Sequence, residues 1–212
     1  MAGTHFKKPI FVQGVPILGG GSLMTQGDSW FVAPSSGSDS NSGTSIDKPF
    51  KTLTYALGKA TANQNDVIYM VAESNTAANT TDYQSVTLTW NKDLVHLVGI
   101  GAPGKVSQRA RIAQTSTATG VSPLVNVTAN GCIFSNFSIF HGVDDATSLV
   151  ALTVTGQRNY FEGVHVGGIG HATMVAAGAA SLKINGGAEN TFKDCVFGVD
   201  TIAADNATNG EL

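Results

Sequence analysis

Three stretches after Val125 carry the same apolar columns. Val125-Asn126-Val127 precedes Phe134-Ser135-Asn136-Phe137-Ser138-Ile139. Leu152-Thr153-Val154 precedes Phe161-Glu162-Gly163-Val164-His165-Val166, and Leu182-Lys183-Ile184 precedes Phe192-Lys193-Asp194-Cys195-Val196-Phe197. The leading phenylalanines lie 27 and then 31 residues apart (161 minus 134, 192 minus 161). Each unit reads as two short alternating strands joined by a polar corner, Thr128–Gly131, Thr155–Asn159 or Asn185–Asn190. Strand-only repeats of this size bury their inward faces only by stacking on one another. The expected fold is therefore an all-β solenoid, a parallel β-helix.

Composition agrees. Only 13% of the 212 residues are charged, while Gly, Ser, Thr, Asn and Ala are abundant. Stacked strands with tight corners favour β-branched and small residues. A net charge of −3 and a pI near 5.9 give no basic surface for nucleic acid. Cys195 shares a column with Phe137 and Val164 and reads as an inward hydrophobe. Cys132 sits in a different column, so no disulfide is expected, and the redox compartment stays open.

Residues 1–28 differ from the rest. Lys7-Lys8 and the apolar run from Ile10 to Leu18 suggest a leader, but Pro9, Gln13, Gly14 and Pro16 interrupt the run, which is too short and broken to span a membrane. The segment reads as an extended arm. Its strip of Phe6, Ile10, Phe11, Val12, Val15, Ile17 and Leu18 is expected to dock on a partner, with Gly19-Gly20-Gly21 as a joint. The body, residues 29–212, opens with a strand at Trp30–Pro34 and a Ser/Gly/Asp loop. Asp47 and Pro49 supply a helix start, and Phe50, Leu53, Leu57 and Ala60 share one face, so one helix is expected over 47–62. Its place ahead of the coils, which begin at residue 66, makes it a lid over the first coil's open core. The last residues, 201–212, show no second amphipathic cap. Continuation of the chain, a partner, or the final residues folding back are the alternatives for covering that end.

Phe31-Val32-Ala33-Pro34, the loop to Lys48-Pro49-Phe50-Lys51-Thr52-Leu53, and Asp66-Val67-Ile68-Tyr69 together resemble the opening of pectin-lyase-like right-handed parallel β-helix proteins. That resemblance implies a right-handed, single-stranded β-helix and says almost nothing of activity. Gly3-Thr4-His5-Phe6-Lys7-Lys8-Pro9 resembles the arm of tailed-phage virion proteins. Val95 to Gly104, running on to Ile112, resembles the early coils of phage-encoded β-helices. These segments imply a virion location, virion subunits as partners and a homotrimer.

Candidate chemistry is sparse. Asp144-Asp145, near Glu162, is the one place for a carboxylate or metal cluster, and a solvated turn is the plainer reading. Asp194 and Asp200 read as surface charge. His165 and His171 flank a glycine loop but lack a third ligand for zinc. Arg109 and Arg111 share a face that suits an acidic ligand or neighbouring carbonyls. No nucleophile elbow, P-loop or paired CxxC is present. The expectation is thus a non-enzymatic phage virion structural protein, a capsid decoration or tail-attached β-helix held by its arm. No catalytic residue, metal or cofactor is assigned. The alternative is a tailspike-like protein that binds or depolymerises host polysaccharide.

Overall fold

The computed structural model describes residues 10–12, 15–17, 27–73, 81–101, 110–141, 143, 145–168 and 178–198. A hairpin of β1 (Ile10–Val12) and β2 (Val15–Ile17) comes first. Next are β3 (Ser29–Val32) and α1 (Leu53–Lys59), the one α-helix among the described residues. The chain then winds through circuits of three strands. These are β4 (Val67–Val71), β5 (Thr81–Gln84) and β6 (Leu88–Trp90), then β7 (His96–Ile100), β8 (Arg111–Gln114) and β9 (Val125–Val127). They continue with β10 (Ile133–Ser135), β11 (Ser138–Phe140) and β12 (Val150–Val154), then β13 (Tyr160–Glu162), β14 (His165–Val166) and β15 (Ala180–Ile184). The final pair is β16 (Thr191–Lys193) and β17 (Val196–Phe197).

Like strands stack in parallel. The first sheet holds β3, β4, β7, β10, β13 and β16; the second β5, β8, β11, β14 and β17; the third β6, β9, β12 and β15. This is the expected parallel β-helix, of about four turns. Each repeat contributes three strands rather than two. The segment from Phe134 to Ile139 breaks at Asn136 (φ 58°), and its equivalents break at Gly163 (φ 63°) and Asp194 (φ 50°). One left-handed residue turns the chain from the first sheet to the second, and Asn, Gly and Asp are the types that tolerate it best.

The core is built of columns. Phe134, Phe161 and Phe192 stand in register, their rings stacked at 4.7 Å and 4.6 Å with interplanar angles of 13° and 12°. Ile68 and Leu97 extend the column toward α1. Phe137, Val164 and Cys195 line up as expected; Cys195 is half-buried against the core, and both cysteines are free.

The polar corners between third and first sheets also stack. Asn63, Leu94, Gly131 and Arg158 all have positive φ, and each donates its N–H to a carbonyl of the next coil at 2.8–3.0 Å. Within them Asn159, 1% exposed, accepts from Cys132 N–H and donates to Ala129 O, both at 2.9 Å. Asn190 repeats the arrangement on Asn159 N–H and Gly156 O. A buried amide satisfied by the neighbouring coil's backbone sets coil-to-coil register.

The lid helix is shorter than the expected 47–62. It starts at Leu53 with Thr52 as N-cap. Asp47 and Pro49 lie outside it because Phe50 pairs instead with Val32, its N–H donating to Phe31 O, so residues before Thr52 extend the first sheet. Leu53, Ala56, Leu57 and Ala60 are buried in the main core, the lid's apolar face. In the arm, Ile10 pairs with Ile17 and Val12 with Val15. The arm is a hairpin there rather than simply extended, and its two strands form a sheet of their own. Phe6 and Leu18 lie outside the described residues, as do 199–212. No described helix is long and apolar enough to cross a membrane.

Phe161→Asp places a charge between two stacked rings, and desolvating it without a partner should cost several kcal/mol, roughly 4 or more. Chemical denaturation should show that loss; an unchanged midpoint would refute the column.

Candidate functional site

Ligands reach a packed solenoid only on the outer faces of its sheets and on its connections. The outer row of the first sheet runs Phe31, Tyr69, Val98, Ser135, Glu162, Lys193. It begins apolar: Phe31 stacks on Tyr69 at 5.3 Å, and Val67, Tyr69 and Val98 are buried. It ends polar, with Glu162 and Lys193 paired at 2.6 Å on the surface.

The second sheet differs. One outer row holds Thr81, Arg111, Ser138, His165 and Val196. The other holds Tyr83, Ala113 and Phe140, with Gly167 next in line. Aromatic and small side chains alternate along it. Tyr83 is 51% exposed, and the ring of Phe140 overlies Gly167, where a Cβ would come within 2.7 Å of Cδ2. The inward positions of this sheet depart from the apolar rule: Asp82, Gln84 and Gln114 are buried there, and His141 continues the row.

Gln114 and His141 hold the connection 115–124 between the second and third sheets. Gln114 Nε2 donates to Ala118 O at 2.7 Å, and His141 Nε2 meets Val121 O at 2.8 Å. Burial lowers the His141 pKa, so the ring is neutral near pH 7, with Nε2 the protonated nitrogen. Asp145, from the connection one coil on, clasps the same segment. Its carboxylate accepts from Gly120 N–H at 2.7 Å, Thr147 N–H at 3.0 Å, Thr147 Oγ1 at 2.8 Å and the Ser148 hydroxyl. These donors, Ser148 foremost, hold its carboxyl well below the usual carboxylate range.

Three buried side-chain atoms among the described residues have no hydrogen-bond partner: Gln114 Oε1, Asn126 Oδ1 and His141 Nδ1. All three flank connections 115–124 and 141–149, at one corner of the solenoid. Asn126 lies on the third sheet's outer row with Thr89, Thr153 and Lys183.

The candidates read from sequence are scattered. Asp145 is a loop clasp, and Glu162 lies on a different sheet in an ion pair, so the two form no cluster. Asp194 is an exposed corner residue, as expected. His165 and Arg111 share a row on the second sheet, and His165 Nε2 is 3.4 Å from Gly198 O. Asp144, His171, Arg109 and Asp200 lie outside the described residues. No group of three or more His, Cys, Asp or Glu among the described residues is placed to hold a metal. Tyr83, Gln114, Asn126, Phe140 and His141 were not singled out by the sequence, although Asp82 and Gln84 at inward positions signal an irregular second sheet.

No family model matches the sequence, and no curated protein matches it. Solved structures do match by shape. Pectin methylesterase PemA from Erwinia chrysanthemi has a TM-score of 0.55 at 22% identity, over 82% of this chain and 49% of that one. A pectin methylesterase in complex with a hexasaccharide matches with the same figures. The chain shares the parallel β-helix fold of pectin methylesterases. It spans about half the length of these structures. The comparison corrects the expectation of a non-enzymatic protein: the matching proteins that share the fold are polysaccharide-processing enzymes.

Asp145→Asn removes an acceptor oxygen from four donors, so connection 115–124 should loosen and become protease-sensitive. Because the Asp145 pKa is depressed, its contribution is present above the unfolded value of about 4 and is lost as pH falls through the folded one. The Tm gap between wild type and variant should therefore be widest near pH 7 and narrow below pH 4. A gap independent of pH would refute the clasp.

Proposed function

We propose that the protein works on a polysaccharide, as a tailspike-like glycan-binding or glycan-depolymerising β-helix. The observation that carries this reading is the outward row Tyr83, Ala113, Phe140, Gly167 on the second sheet. Flat aromatic faces beside recessed small residues suit the apolar faces of pyranose rings. Coils repeat every ~4.8 Å, so a glycan lying along the axis meets an aromatic plate at every second coil, at Tyr83 and Phe140. The shared fold with polysaccharide-processing enzymes supports the class of ligand and leaves the reaction open.

A second element of the proposal is that residues 1–28 attach the protein to virion subunits, in a homotrimer. The hairpin of β1 and β2 pairs with itself and with no described strand of the body, which suits a separate docking element. Deleting residues 1–20 should leave the β-helix folded by circular dichroism but absent from purified particles; normal incorporation would refute the attachment.

Affinity electrophoresis in gels containing neutral or acidic polysaccharides, with reducing-end release followed in parallel, tests the main reading. Tyr83→Ala and Phe140→Ala should each weaken retention several-fold without lowering Tm by more than a few degrees. If the wild type is neither retained nor releases product on any polysaccharide, the reading fails.

A further inference from the structure

The corner from β15 to β16 is one residue longer than the corner before it: positions 185 to 190 against 155 to 159. Asn190 and Asn159 are equivalent, each bonded to the corner of the preceding coil. Gly187 and Gly156 are equivalent too, since a Cβ on Gly156 would strike Ala129 O and one on Gly187 would strike Gly156 O. Gly186 is therefore the extra residue. A Cβ there would meet nothing within 4 Å, so it bulges out of the stack. Earlier corners set two consecutive N–H groups on one carbonyl. Thr128 and Ala129 both donate to Trp90 O at 3.0 Å, and Thr155 and Gly156 donate to Val127 O at 2.9 Å and 3.1 Å. In the last corner Asn185 N–H donates to Val154 O at 2.9 Å, but Gly186, in the second donor's place, donates to no described residue. The exposed Asn185 side chain likewise makes no hydrogen bond among the described residues.

We infer that Asn185–Gly186 is a site of spontaneous covalent modification, at which the asparagine amide becomes a carboxylate. Gly186 N, shielded by no side chain, forms a bond to Asn185 Cγ. The Cγ–Nδ2 bond breaks, and the N–H proton leaves with the amide nitrogen as ammonia. Water then opens the cyclic imide at either carbonyl, giving aspartate in the ordinary backbone or isoaspartate, with the chain routed through the side chain. Water is the one co-reactant, and nothing is oxidised or reduced. Asn130–Gly131 is the same pair two corners earlier, with Asn130 also exposed, but its reacting groups are held. Gly131 N–H donates to Gln157 O at 2.9 Å, Asn130 Nδ2 donates to Asp93 Oδ1 at 3.2 Å, and Asn130 Oδ1 accepts from Gln157 N–H at 2.9 Å. Attack there waits until those bonds open. At Asn185 the reaction adds a negative charge to the last described coil. Its isoaspartate form also lengthens the path to Asn190, whose bonds to Asn159 N–H and Gly156 O set the register of that coil.

Peptide mapping of the full chain by mass spectrometry, during prolonged incubation at mildly alkaline pH, tests the site. Asn185 should convert at close to the rate of a synthetic peptide of residues 180–190, yielding both aspartate and isoaspartate. Asn130 should convert about a hundredfold more slowly, because its corner must open first. The pair at 209–210 lies outside the described residues and is read on its own peptide. Deleting Gly186 keeps an Asn-Gly pair, now with Gly187, but restores the shorter, bonded corner, so conversion of Asn185 should fall about tenfold. Equal rates at Asn185 and Asn130 in the wild type, or an Asn185 rate unchanged by the deletion, would overturn the inference. Should the deletion variant fail to fold, the wild-type comparison of the two asparagines decides.

Discussion

Everything in this molecule depends on like stacking on like between coils. A single circuit cannot bury its inward side chains; it does so by laying Phe161 on Phe134 and Phe192 on Phe161 within 5 Å. The backbone obeys the same rule. Corner N–H groups of one coil are received by carbonyls of the next, and the side chains of Asn159 and Asn190 each fasten the turn of the preceding coil. A one-residue slip at any corner would turn every inward residue of the following strand outward, so the asparagine bonds guard register as much as stability.

That regularity makes the exceptions informative. The second sheet places Asp82, Gln84 and Gln114 where the solenoid calls for hydrocarbon. At the lid end, these groups receive the helix's first turn. Farther along, Gln114 and His141 hold a surface connection while each leaves one polar atom unpaired. Buried polar groups of this kind are tolerated where they hold segments that apolar packing cannot, here the helix's first turn and connection 115–124.

The fold and the function rest on different grounds. Shared shape with pectin methylesterases at 22% identity establishes the solenoid and displaces the expectation of a purely structural protein. It assigns no reaction, because β-helix chemistry resides in the outward rows, which vary freely once the inward columns are filled. Here those rows offer aromatic plates and hydrogen-bonding groups, while Glu162 and Asp145 are held in an ion pair and a loop clasp.

The sequence alone determined the solenoid, the phenylalanine column, the inward place of Cys195 and the presence of a lid, because stacking writes itself into the chain as repeating apolar positions. It did not reveal the break at Asn136 or the late start of α1. A single left-handed residue leaves the alternation nearly intact, and the pairing of Phe50 with Val32 is a long-range contact that overrides a local helix signal. The alignment of Tyr83 with Phe140 was decided by tertiary structure alone. The connections between the second and third sheets run from residues 85–87 in one circuit to 115–124 in another, so spacing along the chain carries no memory of which residues become neighbours on the surface. The same holds for Asp39 and Asp82, 43 residues apart (82 minus 39), which meet only because the helix between them folds over the first coils.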